Sequence, residues 1–521
     1  MRIISLLVVF FLSFVGSELW ALHRGIPSPY IYDEFSYLLA GDTFAHGRLT
    51  NPPHPMWMHF ETFSEIQNPT YMSMYPPGQG FFLALGQVLF GHPIFGVWLS
   101  CALMCAAIAW MLYAWLPPRW ALIGGLVAVL QFGVFTYWSQ SYWGGAVAAL
   151  GGALVLGALP RIFNYQRTRD ALWLGLGCAI LANSRPLEGF LVAIPVAVLL
   201  LPWNINWRSL KSTQFIRHII VPLSILLLMT AAGVGVYNKT ITRDPKIFPH
   251  VLHDQMYRRV PFFIFQPLNL SLRFDHPMME TSDKESNEAH YLAKRTAGGF
   301  LKSMQRDLGM LFKFFFGYPL GVPALIMMAL ALFNAQTSLR SWLALAWIAA
   351  ACAAVSYSIL PHYLAPLTAV AVWLIVQGLR GLQAMRLRRM SGTALVILLM
   401  MGQLWLNLRF TPIVPAVKSL AHITQSRSIH STKAFTREEL QAALLRQGGK
   451  YLILVSYPST HNHRYEWVYN ASDINHAPIV WARDMGPRDN QELIDYFKDR
   501  QEIGINVFWD LPGLMNFYAR Q

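Results

Sequence analysis

Residues 76–90 read Pro76-Pro77-Gly78-Gln79-Gly80-Phe81-Phe82-Leu83-Ala84-Leu85-Gly86-Gln87-Val88-Leu89-Phe90, and whether this stretch crosses a bilayer decides how the whole chain is threaded. Its apolar part, residues 78–90, is thirteen residues long, whereas a helix needs about 20 apolar residues to span about 30 Å of hydrocarbon. A proline pair at its head sets the direction of entry and needs no amide donor, which suits a helix start. The expectation is a half-embedded or interfacial helix.

On either side the apolar runs are longer. One precedes it, residues 3–20, and ten follow: 94–114, 120–137, 144–159, 171–183, 186–201, 218–237, 314–333, 341–356, 363–379 and 391–408. The first run is long and has no small-x-small cleavage site after it, so it reads as an uncleaved span rather than a signal peptide. Loop charge tests the threading. If residues 78–90 do not cross and the amino terminus is cytoplasmic, the inside loops hold Arg119, Arg161, Arg167, Arg169, Arg208, Lys211, Arg217, Arg340, Arg380, Arg386, Arg388 and Arg389. The short outside connections then hold only Arg185. Making residues 78–90 a full span would invert all of these loops, so the positive-inside rule selects about eleven spans.

The composition agrees. The chain has 521 residues, 54% hydrophobic and 13% charged, with a net charge of +14, against about 25% charged in soluble domains. Mean hydropathy is +0.35. A water-soluble enzyme, a disordered chain and a fibrous protein are excluded. A pI near 9.6 would point to nucleic acid in a soluble protein, but here the basic groups sit in short loops between apolar runs, and no nucleic-acid partner is expected. Cys101, Cys105, Cys178 and Cys352 all lie inside apolar runs, which indicates neither a disulfide framework nor a zinc site.

The expected fold is therefore mainly α: a polytopic membrane part over residues 1–410, with outer loops at 23–93 and 238–313, and a small α/β domain over 411–521. In the tail, Thr436-x-x-Glu439 is a capping box ahead of a helix through Leu445. Strand patterns follow at 451–456 and 478–482, then a helix near 490–498 and a strand near 505–509.

In so apolar a chain the informative residues are ionisable groups at span ends facing one compartment. Asp33 and Glu34 stand about a dozen residues after the first span, where a carboxylate could serve as a general base, or cap a helix over residues 35–45. Tyr75 immediately precedes the proline pair. Arg185 stands in Asn183-Ser184-Arg185-Pro186-Leu187-Glu188, where an ion pair with Glu188 or an anionic ligand would offset its position beside hydrocarbon. His362 and Tyr363 mark another outer span end. Arg258 and Arg259 adjoin His253 and Asp254 ahead of an apolar segment, a pattern suited to a lipid headgroup or lipid phosphate. Trp138, Tyr142 and Trp143 fall on the same side, as sugar-stacking rings or an interfacial belt.

Asp33-Glu34 after a first span, a long first outer loop, Pro76-Pro77 opening a juxtamembrane helix, some ten further spans and a soluble carboxy-terminal domain resemble the C-type membrane glycosyltransferases. The likeness is nearest to the branch of protein O-mannosyltransferases and bacterial aminoarabinose transferases, and it covers about residues 1–410. It implies transfer of a sugar from a polyprenyl-phosphate donor to a lipid, glycan or protein acceptor on the periplasmic face of a bacterial inner membrane, with inversion. By matching position Asp33 would be the base and Glu34 its acidic neighbour. Many relatives carry a Lys immediately before the proline pair; Tyr75 stands there in this chain, so the donor phosphate must be held elsewhere. Arg185, Arg258, Arg259 and His362 are the candidates on chemical grounds. A divalent cation would be compatible with such chemistry, but no ligand motif marks one, and no cofactor is expected. Two other classes compete. A transporter or flippase of a lipid-linked solute would favour ionisable groups at mid-membrane and repeated halves, and a sensor working through its tail would need only one anchor.

Overall fold

The computed structural model describes residues 2–200, 212–317, 319–323, 325–326, 359–384, 386–387, 390–410, 418–426, 434–458, 461 and 465–510. The first apolar run is helix α1 (Arg2–Arg24), followed by α2 (Tyr32–Ala45), a small hairpin of β1 (Glu65–Ile66) and β2 (Met72–Ser73), and α3 (Pro77–Phe90). With 14 residues, α3 is about 21 Å long, short of the about 30 Å of hydrocarbon, and the helix Pro186–Leu199, expected as a span, is no longer. Phe81, Val88, Leu89 and Phe90 on α3 are exposed, as an interfacial helix requires.

The membrane part continues with α4 (Ile94–Trp115), α5 (Pro118–Ala128), a π turn at Val129–Gly133, α6 (Ala146–Tyr165), α7 (Thr168–Ala182) and α8 (Pro186–Leu199). Then come α9 (Thr213–Thr242), α10 (Pro249–Tyr257), α11 (Ala297–Phe316), α12 (Pro361–Ala384) and α13 (Gly392–Phe410). Among the described residues, α1, α4, α6, α9, α12 and α13 are long and apolar enough to cross a membrane. Helices α4, α6 and α12 are largely enclosed, whereas α9 leaves Leu228 70% and Met229 66% exposed, and α13 leaves Met401 and Trp405 exposed. Apolar surface of that extent, on helices long enough to cross, suits contact with lipid.

The expected span at 341–356 and most of that at 314–333 lie outside the described residues, as do Arg208, Lys211, Arg340, Arg388 and Arg389. Residues 314–316 do not open a span: they are the last turn of α11. The amphipathic period of 297–316 runs unbroken from the cap at Thr296, whose hydroxyl accepts from the Gly299 amide at 3.1 Å, and it carries the helix past Lys313.

The tail forms a four-stranded sheet from β3 (Lys418–Ser426), β4 (Tyr451–Ser456), β5 (Ile479–Arg483) and β6 (Gln501–Asp510), in the order β3-β6-β4-β5. The β3–β6 pair is antiparallel and the other two are parallel. Helix α14 (Arg437–Gln447) starts at the Thr436–Glu439 capping box, and α15 (Pro487–Tyr496) precedes β6. One sheet face, with Ile453, Val455 and Trp481, covers Leu440 and Leu444 of α14. The other, with Leu452, Leu454 and Val480, packs against Leu493 and Phe497 and also against Leu39, Phe60 and Tyr71 of the 23–93 segment.

The tail is therefore docked, and the contact is polar as well as apolar. Arg483 meets Glu466 at 2.5 Å, both buried, Thr62 donates to Glu466 at 3.0 Å, and the Arg483 Nε donates to the Glu61 carbonyl at 2.5 Å. The Glu61 carboxylate accepts from Tyr257 at 2.6 Å and lies 3.2 Å from His276, so the 23–93 and 238–313 segments and the tail share one buried network. Removing Arg483 strands Glu466 without its counter-charge, at a cost of about 3–5 kcal/mol. Arg483→Met is expected to make the tail markedly more sensitive to limited proteolysis in detergent, and adding Glu466→Gln to recover part of the resistance.

Candidate active site

Helix α2 lies between α3 and the tail, and its two sides have different work. Phe35 stacks on Tyr469 at 4.4 Å, and Asp42 accepts from the Ser472 amide at 2.9 Å and from Gln87 at 3.0 Å. That side borders a cleft of about 340 Å³ against Arg437 and Trp481. Asp33, Ser36 and Tyr37, at i, i+3 and i+4, share the opposite side.

Asp33 is 9% exposed and accepts a hydrogen bond from the Tyr75 hydroxyl. The Tyr75 ring stacks on that of Tyr37 at 4.4 Å. Two close approaches bring Tyr75 there. A Cβ on Gly80 would stand 2.6 Å from that of Ala40, so its absence lets α3 cross α2 closely. A Cβ on Gly78 would stand 2.7 Å from the Asn183 carbonyl, which instead accepts from the Gly78 amide at 2.7 Å. The N-terminus of α3 is thereby seated on the α7–α8 connection that carries Arg185.

Arg185 lies over the Tyr363 ring at 4.8 Å. Burial alone would lower its pKa, but Tyr37, Glu188, Tyr363 and Asp33 around it outweigh that, and the pKa stands raised. A guanidinium so surrounded stays charged. Burial raises the Tyr37 phenol, with Arg185 opposing. His362 is 2% exposed, within electrostatic reach of Arg185, with the Tyr137 hydroxyl 3.1 Å from its Nδ1 and the Trp143 ring at 4.7 Å.

The structure thus brings Asp33, Tyr75, Arg185, Glu188, His362 and Tyr363 together. Glu34, beside Asp33 in sequence, is used differently. Fully buried, it accepts from the amides of Tyr30 at 3.0 Å, Ile31 at 3.4 Å and Tyr142 at 3.1 Å, so it ties α2 to the 136–145 loop. Burial pushes its carboxyl up to about 7, against the pull of those amides. Because that value lies above the ordinary 4.5, its stabilising effect is complete below about pH 4.5 and is lost as pH rises through 7, by on the order of 3 kcal/mol. The melting temperature is expected to fall between pH 5 and 8, and to fall less steeply in Glu34→Gln.

The basic pair of the 238–313 segment separates. Arg259 is 8% exposed and engages Glu280 at 2.7 Å and the Leu272 carbonyl at 3.2 Å, so it closes that loop. Arg258 pairs with Asp254 at 3.3 Å. Burial raises Asp254, but Arg258 and His253 together hold it below the usual carboxylate range. His250 and Asp254 lie at i and i+4 on α10, Arg258 follows directly at its C-cap, and His250 is within electrostatic reach of Arg185. His250, Tyr37 and Tyr137 were missed in the sequence; the i−4 step from Asp254 and the i+4 step from Asp33 were the available signals for the first two.

Helix count, exposed apolar faces and the docked sheet define a polytopic, mainly helical membrane protein with a small C-terminal sheet unit. No family model matches the sequence, and no curated protein matches it. Among solved structures it is similar to the apo-state crystal structure of ArnT from Cupriavidus metallidurans, with 13% identity, 96% of this chain and 88% of that chain covered, and a TM-score of 0.47.

Proposed function

We propose that this chain is a membrane glycosyltransferase that moves a sugar from a polyprenyl-phosphate donor to a hydroxyl or amine of a lipid, glycan or protein on the periplasmic face of a bacterial inner membrane. The observation that carries the reading is that Asp33 lies within electrostatic reach of the charged Arg185, which also has Glu188 beside it, at the ends of apolar helices. A donor whose tail lies in lipid can reach such a place by lateral diffusion, and an acceptor can reach it from water.

In this reading Asp33 takes the acceptor proton as the acceptor oxygen or nitrogen attacks the anomeric carbon. The bond from that carbon to the phosphate oxygen breaks with inversion, and the polyprenyl phosphate departs with both bonding electrons. Arg185 offsets the charge that develops on the phosphate, with Arg258 and His250 on the adjoining wall. Residues 1–410 would carry the chemistry, and residues 411–521 would wall the outer face.

The test is to incubate membranes containing the protein with radiolabelled undecaprenyl-phosphate hexoses and pentoses. Loss of label from the lipid fraction with matching gain in an acceptor fraction is expected for at least one donor. No transfer across the series overturns the reading, and label that changes leaflet while still lipid-linked would support a flippase instead.

A further inference from the structure

Ser64, in the first outer loop, holds a backbone φ of +67°, a left-handed conformation that costs a residue with a side chain about 1–2 kcal/mol. All of its polar groups are engaged. Its amide donates to His253 Nε2 at 2.9 Å, and its carbonyl accepts from the Ser36 hydroxyl at 2.5 Å and the Met74 amide at 3.1 Å. Its hydroxyl lies 3.4 Å from that of Tyr75. The proton directions are fixed by counting. Tyr75 gives its only hydroxyl proton to Asp33, so in the Ser64–Tyr75 contact Ser64 is the donor. His253 accepts on Nε2, so its proton is on Nδ1, the nitrogen 3.8 Å from Asp254. His253 is 2% exposed.

We infer that His253, on α10, is a positioning residue for Asp33: it holds Ser64 in its left-handed turn, which aims the Ser64 hydroxyl at Tyr75 and so fixes the orientation of the Asp33 carboxylate. The inference rests on the reading of Asp33 as the base. A second strut reaches the same helix, because the Ser64 carbonyl also binds Ser36, three residues beyond Asp33, which in turn lies 2.7 Å from the Ser73 hydroxyl. Burial keeps His253 below its ordinary pKa, which preserves the acceptor nitrogen at neutral pH. The second outer loop would therefore act on the reacting carboxylate without touching it.

The experiment measures kcat and KM in membranes with whichever labelled undecaprenyl-phosphate sugar the wild type consumes. His253→Phe keeps a ring in place but removes the acceptor; kcat is expected to fall roughly 10- to 100-fold with KM for the donor unchanged, the size of effect a misplaced catalytic group produces. His253→Gln, whose amide oxygen can accept from Ser64, is expected to retain most of the rate. In a Tyr75→Phe background the loss from His253→Phe should largely vanish, since the path is already cut. Losses that multiply fully, a raised KM at unchanged kcat, or a Gln variant no better than Phe would overturn the inference. If His253→Phe does not fold, Ser64→Ala carries the same test, with lower kcat, unchanged KM and non-additivity with Tyr75→Phe expected. An active Asp33→Asn in the same membranes would sink the reading of the base itself. An inactive Asp33→Asn beside a fully active His253→Phe would sink only this inference.

Discussion

Asp33→Asn is expected to lower sugar transfer by roughly 10²- to 10⁴-fold, the range a general base contributes, while the protein remains folded. The substitution is nearly isosteric, and the amide oxygen can still accept from Tyr75, so the Tyr75–Tyr37 stack has no reason to move. Asp33 also differs from its neighbour in what it holds: the three backbone amides at the start of α2 and in the 136–145 loop belong to Glu34. Loss of label from the lipid fraction and the melting temperature in detergent, measured on one preparation, check both halves of the expectation. Wild-type turnover by the variant would remove Asp33 as the base.

The second large effect is expected at Arg185. Arg185→Met keeps an apolar stem over Tyr363 but leaves the departing phosphate without its counter-charge, and kcat should fall roughly 10²- to 10³-fold, as when a preorganised donor to a developing anion is lost. Arg185→Lys restores the charge but not the planar two-point contact, so it is expected to recover only part of the rate. Glu188 provides an internal check. It sits beside Arg185, and in Arg185→Met its carboxyl loses that partner, so Glu188→Gln added to Arg185→Met should cost little further activity. A Met variant with unchanged kcat would assign the phosphate to another group.

Much of the helical framework was legible because lipid imposes length and composition on a crossing helix. The run at 94–114 became Ile94–Trp115, and the short stretch headed by two prolines became Pro77–Phe90. The capping box at Thr436 was legible for a local reason: its two reciprocal hydrogen bonds, 3.3 and 2.8 Å, join residues three apart. What was not legible depended on distant partners. Strand β3 has little alternation and exists because β6 offers it an edge. Glu34 and Asp33 are adjacent acids in sequence, and only the arrival of the Tyr142 amide, 108 residues away, distinguishes them. Likewise Arg258 and Arg259 look equivalent until Glu280 and Asp254 claim one each. His253 gives no sign of its role in sequence, since its partner is a main-chain amide 189 residues distant.

The docking of the tail on the 23–93 segment also bears on how the molecule is made. A ribosome delivers the loop first, and Glu61 and Thr62 must wait through nearly the whole of translation before Glu466 and Arg483 emerge to complete their network. Until then the nascent loop has buried-type acids facing water or chaperone, and Phe60 and Tyr71 lack the sheet that covers them. The network around Glu61 is thus completed only once the last part of the chain has emerged, and a chain cut short before Arg483 is expected to leave Phe60 and Tyr71 uncovered.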